Sequence, residues 1–129
     1  MKMLKNNSGF TLIELILVIA ILGILAVAVA PQVVNIQGSA QSAQRDGVAG
    51  SVRDGINMQY ANTLASTGTG AFPSTLDSAA DGACTSSNAC FTGVLQSGIT
   101  AGWTKAGLAY THDDTSTTYT YNTATGQFE

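Results

Sequence analysis

Residues 9–31 read GFTLIELILVIAILGILAVAVAP, a run of Leu, Ile, Val and Ala that carries one carboxylate, Glu14, and one internal glycine, Gly23. From Phe10 to Ala30 the run measures about 31 Å as a helix, the thickness of the hydrocarbon core of a bilayer. Lys2 and Lys5 precede it, and no further base occurs before Arg45. That asymmetry predicts a cytoplasmic N-terminus with the remainder of the chain outside. The residue that needs explaining is Glu14, one turn into the apolar run.

Three readings of the run differ in what they make of Glu14. A secretory signal peptide accounts for the basic start and for the small residues of AVAVA before Pro31. Its apolar region is too long, however, and proline is a poor residue after a cleavage point. A plain single-pass anchor accounts for the length but leaves Glu14 as a cost without a use, softened by the helix dipole. The third reading cuts the chain between Gly9 and Phe10. Phe10 then gains an α-amino group, largely cationic at neutral pH. Within one chain, neither this cation nor Glu14 has an evident partner. If chains stack with an axial stagger, Glu14 of one meets the Phe10 amine of the next, and the pair sets the register between subunits. Breaking such a pair in a low-dielectric bundle strands a buried charge.

The run GFTLIELILVIAILGILAVAVAP closely resembles the class III signal and N-terminal helix of type IV pilins and type II secretion pseudopilins, from Ser8 to about Gln32. The resemblance implies that a membrane prepilin peptidase cleaves after Gly9 and N-methylates Phe10. It also implies that Glu14 is the assembly residue and that Pro31 is a helix proline that kinks the rod. The implied function is a structural subunit of an extracellular type IV pilus for adhesion or motility, and the alternative is a pseudopilin of a periplasmic fibre driving protein export. The segments GVL and GW (residues 93–95 and 102–103) and YTYNTATGQF (residues 119–128) resemble the mannose-sensitive haemagglutinin kind of pilin. The implied partners are further copies of the chain in a helical filament, the peptidase and methyltransferase, and an inner-membrane assembly platform with its ATPase. The implied location is the inner membrane before assembly and the cell exterior afterwards.

Beyond Pro31, which removes a backbone donor and predicts a bend or local melt, the pattern still reads as helix. Val48, Val52, Ile56, Tyr60 and Leu64 recur every fourth residue, with Val33, Ile36, Ala40 and Ala43 continuing the stripe upstream. Gly38, Gly47, Gly50 and Gly55 weaken it, each by about 1 kcal/mol relative to Ala. Arg45-Asp46 and Arg53-Asp54 form two adjacent charge pairs on a solvated or inter-subunit face. A Gly/Ser/Thr/Pro-rich loop follows, then CTSSNAC with Cys84 and Cys90. In an exported chain these two close a small disulfide loop worth about 2 kcal/mol; in a cytosolic one they stay free thiols. GWTKAGLAYTHDD, TSTTYTYN and GQFE then read as three short strands of a meander, with a turn at Asp113-Asp114 and Tyr119 and Tyr121 sharing a face.

The expected fold is therefore α+β, a pilin-like ladle in which a long N-terminal helix packs on a small antiparallel sheet of three to four strands. The expected divisions are a cleaved leader over 1–9, a helix over 10–66 (10–30 in the membrane or fibre core, 31–66 amphipathic), and a head over 67–129.

The rest of the sequence lacks the signs of other functions. From Phe10 onward three bases stand against eight acids, so no basic footprint for nucleic acid exists and none is expected as a partner. His112 is the only histidine and has no evident nucleophile, so it reads as a strand-end residue and no catalytic group is expected. Asp113 and Asp114 supply two adjacent carboxylates where calcium takes six to eight oxygens, so they read as a turn and no metal or other cofactor is expected. Trp103, Tyr110, Tyr119 and Tyr121 read as core packing rather than a sugar platform. A membrane-tethered binding module and a minor pilin that caps fibres and takes up DNA remain as functions of other classes.

Overall fold

The computed structural model describes residues 9–129; the leader expected over 1–9 lies, up to Ser8, outside the described residues. The architecture is α+β. One helix, α1 (Leu12–Thr67), is followed by four short strands, β1 (Gly82–Ala83), β2 (Trp103–Ala106), β3 (Ala109–His112) and β4 (Thr117–Thr120). The chain divides into two compact units, the first ending at Ser39 and the second running Ala40–Glu129.

In the first unit, the helix starts at a Thr-x-x-Glu capping pattern and takes up the whole apolar run. The helix continues through Pro31, so the local melt expected there does not occur. Proline removes one amide and crowds one carbonyl, and the remaining intrahelical bonds carry the chain past it.

In the second unit, the last turns of α1 pack on the sheet. Ala49, Val52 and Ile56 are buried in one cluster with Leu76, Phe91, Trp103, Tyr110, Tyr121 and Phe128, and Val48 packs against it. The stripe is shorter than its periodicity implied. Ala40 and Ala43 are exposed, as are Ile36 in the first unit and Leu64. Tyr60 marks its end, half-buried against Phe72 with ring centroids 4.6 Å apart. Gly68, in the left-handed region at φ +75°, then caps the helix by donating its N–H to Leu64 O at 2.9 Å. The chain returns across Tyr60, which leaves Leu64 beyond the covered face.

The sheet is antiparallel in the order β1-β2-β3-β4. GWTKAGLAYTHDD, expected as one strand, is a hairpin: Ala106 pairs with Ala109 and Trp103 with His112. The reversal falls on Gly107-Leu108, with Gly107 at φ +63°. Glycine at the first central position of a two-residue turn matches the twist of the flanking strands. Asp113-Asp114 lies in the turn that joins β3 to β4. GQFE, expected as a strand, forms a single bridge, Tyr121 to Phe128. An Asx turn, in which Asn122 Oδ1 accepts from Ala124 N at 2.9 Å, and Gly126 at φ +71° use up the residues before it. The sheet's inner face carries Trp103, Lys105, Tyr110, His112 and Tyr121, all buried, so the aromatic residues are core. Thr118 and Thr120 face outward.

Two arginines of α1 lie against this sheet. Arg45 pairs with Asp46 at 2.8 Å and donates from a second nitrogen to Thr117 Oγ1 at 3.0 Å. Arg53, expected to pair with Asp54, donates Nε–H to Phe128 O at 2.9 Å instead. Its guanidinium carbon lies 5.9 Å from the Tyr119 ring centroid. Both arginines therefore tie the helix to β4 and to the C-terminal segment.

Candidate functional site

Gly9 and Phe10 lie outside the helix, and both are exposed. Among the described residues, a Cβ at Gly9 would meet nothing within 4 Å. Thr11 is the N-cap of α1 and Glu14 its third helical residue. The Thr11 N–H and Oγ1 both donate to Glu14 Oε2, at 2.8 and 2.9 Å, and the Glu14 N–H returns a bond to Thr11 Oγ1 at 3.3 Å. This is a capping box, which satisfies amides that a helix start leaves unpaired. It corrects the expectation that Glu14 lacks a partner within its own chain. Both donations fall on Oε2; among the described residues, Oε1 receives none.

Behind Glu14, Leu12–Val29 is long and apolar enough to cross a membrane, and none of it is buried within the chain. Leu, Ile and Val cover every side of the helix; Ile13, Leu15, Ile16 and Leu17, which point in different directions around it, are all more than half exposed. A helix that is apolar all round needs a lipid or protein environment on all sides. Pro31 is exposed within the same helix.

The head is organised around a carboxylate that sequence reasoning missed. Asp77 is buried and accepts four hydrogen bonds: Lys105 Nζ at 2.5 Å and Ala79 N at 3.2 Å on Oδ1, Phe91 N at 2.7 Å and Tyr110 Oη at 3.0 Å on Oδ2. Lys105 also donates to Ala79 O at 2.7 Å. Burial, and then the Asp77 carboxylate beside it, push the Tyr110 hydroxyl above its ordinary pKa. Lys105 was partly legible, because alternation places it on the same face as Trp103. Asp77 was not, because it sits in a Ser/Thr/Ala-rich segment that reads as solvated loop.

Cys84 and Cys90 form a disulfide, with Cα atoms 5.5 Å apart, and both are buried. Phe91, the next residue, is fully buried at φ +61°, a conformation uncommon for an aromatic residue. Its ring meets Trp103, Tyr110 and Phe128 at centroid distances of 5.6, 4.3 and 5.7 Å. The disulfide on one side and Asp77 on the other thus hold the residue at the centre of the core. His112 is buried at the end of β3, where Nδ1 lies 3.0 Å from Thr115 Oγ1.

Residues 4–30 match the family model of the prokaryotic N-terminal methylation motif. The match takes in Gly9, Phe10 and Glu14 and stops before the head. It supports a type IV pilin-like or pseudopilin protein, and it does not distinguish pilus from pseudopilus. The motif and the exposed apolar helix are consistent with anchoring in the inner membrane. No curated protein and no solved structure matches the chain.

Proposed function

We propose that the chain is a structural subunit of an extracellular type IV pilus. A prepilin peptidase removes the leader between Gly9 and Phe10, and the new Phe10 amine is N-methylated. The processed subunit waits in the inner membrane with its N-terminus cytoplasmic, and an ATPase-driven platform extracts it. Leu12–Val29 then enters the fibre core. There Glu14 meets the Phe10 amine of a neighbouring copy and fixes the axial register, while the head of residues 67–129 faces outward.

The observation that carries this reading is the unburied apolar helix that begins at Leu12, with Glu14 in its first turn, within a matched methylation motif. An apolar surface of that extent is stable only in lipid or against copies of itself. The capping box keeps Glu14 hydrogen-bonded while it waits, and Oε1 is the acceptor left for the amine. The same N-terminal chemistry would serve a pseudopilin, so the experiment separates the two. Mass spectrometry of fibres sheared from the cell surface is expected to find this chain with a methylated Phe10 as first residue. Recovery of the processed chain from the periplasm and membrane alone, with none in surface fibres, overturns the pilus reading in favour of the pseudopilus.

A further inference from the structure

The Lys105–Asp77 contact is more specific than an ion pair requires. The two side chains are 9% and 0% exposed, and Lys105 Nζ lies 5.9 Å from the Tyr110 ring centroid. The amine touches one carboxylate oxygen, Oδ1. The other, Oδ2, receives two donors at once, the Phe91 N–H at 2.7 Å and the Tyr110 hydroxyl at 3.0 Å. Two preorganised donors on the oxygen that gains charge, with an amine hydrogen-bonded to the other oxygen of the same carboxyl group, bring together the parts that acyl transfer needs. We propose that Lys105 Nζ and the Asp77 carboxyl group condense, with loss of water, into an intramolecular isopeptide bond.

The step needs no further reactant. The Lys105 ammonium passes one proton to Asp77 Oδ1, which leaves a neutral amine beside a neutral acid. In a dry site this exchange removes two buried charges together. The Nζ lone pair then forms the bond to Cγ, and the carbonyl π electrons move onto Oδ2, where the Phe91 amide and Tyr110 hydroxyl hold the oxyanion. Collapse restores the Cγ–Oδ2 double bond and breaks Cγ–Oδ1. Oδ1 leaves as water, carrying its own proton and a second from nitrogen, and one hydrogen remains on the amide. Tyr110 is a hydroxyl donor at neutral pH, as any tyrosine of ordinary pKa is, and burial, and then Asp77, raise its pKa further. The Ala79 carbonyl, 2.7 Å from Nζ, orients the amine. The burial of both side chains keeps out the water that would reverse the reaction.

The bond would close the chain from Asp77 to Lys105 around the Cys84–Cys90 loop, so two covalent closures would hold the head. It does not depend on the fibre reading. The test is a tryptic map of the exported, oxidised full-length chain. Cleavage sites flank the segment at Arg53 and Lys105. The expected result is no cleavage after Lys105 and a fragment running from Asp54 to Glu129, lighter by one water, with fragmentation joining Asp77 to Lys105. Asp77→Asn is expected to reach the same final mass by losing ammonia, and Lys105→Met to abolish the loss. If a variant fails to fold, the map of the wild-type chain decides alone. Efficient cleavage after Lys105 with no loss of mass, in a chain whose disulfide is closed, overturns the proposal. Water lost as a succinimide at Asp54-Gly55 or Asp81-Gly82 overturns it equally.

Discussion

Thr11 holds Glu14 through two donors on one oxygen, its N–H at 2.8 Å and its hydroxyl at 2.9 Å from Oε2. The carboxylate therefore has a local use, as helix cap, besides its proposed use in assembly, and substitution can separate the two. Glutamine preserves a capping box but removes the charge, whereas valine removes both. Glu14→Gln is expected to leave cleavage after Gly9 intact and to abolish surface fibres, because an unpaired buried amine costs about 3–5 kcal/mol. Glu14→Val is expected to do the same with a frayed first turn. Fibre counts by electron microscopy, beside the mass of the processed chain, are the check. Normal fibres from Glu14→Gln would show that capping, not charge pairing, is what Glu14 supplies.

A Cβ at Gly9 would meet no atom of the described residues within 4 Å, so a larger residue there disturbs nothing in the helix that follows. Gly9→Ser is accordingly expected to fold and insert normally yet remain as uncleaved precursor, since only the peptidase's own site would reject the side chain. Finding Phe10 as the N-terminus of that variant would sink the cleavage assignment.

Asp77 satisfies the Phe91 amide, the Tyr110 hydroxyl and the Lys105 ammonium together. Neither Asp77→Ala nor Asp77→Leu combined with Lys105→Met can form the isopeptide bond, so the difference between the two variants isolates the stranded ammonium. Asp77→Ala leaves that charge and an amide buried without a partner, and the double variant, with apolar groups in both places, is expected to be more stable than it by about 3–5 kcal/mol. Urea unfolding of the chain in detergent, followed by the fluorescence of the single Trp103, measures both. A double variant no better than Asp77→Ala would show that packing, not the stranded charge, sets the cost.

The parts of this protein that were legible in its sequence are those set by local pattern. The membrane-length helix follows from an unbroken apolar run, and the inward placement of Tyr119 and Tyr121 from strand alternation. The capping box was present as Thr11-Leu-Ile-Glu14 but was overshadowed by the question of charge. The Gly107 hairpin showed only as a change of phase, from inward Trp103 and Lys105 to inward Tyr110 and His112, and a lysine among the inward residues obscured it. Asp77 was out of reach for a different reason. Its role depends on Phe91, Lys105 and Tyr110 converging from separate segments, and nothing near Asp77 in the chain signals that.

Alkaline pH bears on the same cluster. Burial pushes both Tyr110 and Tyr121 above their ordinary pKa, with Asp77 adding to the effect at Tyr110. The folded head then retains protons that the unfolded chain releases above about pH 10. Stability is expected to be flat below that pH and to fall as it rises further, by up to about 1.4 kcal/mol per pH unit for each tyrosine. Tyr110→Phe removes one titrating group at the expense of a hydrogen bond to Asp77. It should be less stable than the parent at pH 8, with the gap narrowing above pH 10. Parallel unfolding curves at both pH values would contradict this.

The helix glycines divide by their surroundings. A Cβ at Gly47 would meet nothing, whereas at Gly55 it would lie 2.9 Å from Val94 Cβ and 3.0 Å from the Val94 carbonyl carbon. The clash falls on backbone as well as side chain, so no rotamer change relieves it. Gly55 is thus the point where the loop after Phe91 reaches the helix, and alanine there would push the loop away. Leu95 N–H donates to Phe91 O at 2.8 Å, so moving Val94 also disturbs the turn that carries Phe91. Gly47→Ala is expected to stabilise the chain by about 1 kcal/mol through helix propensity alone. Gly55→Ala is expected to destabilise it by about 1–3 kcal/mol, the usual range for overpacking, despite the same gain in propensity. Thermal unfolding of the two variants side by side provides the check: equal shifts in Tm would mean that Val94 yields without cost and that Gly55 has no structural role in the head.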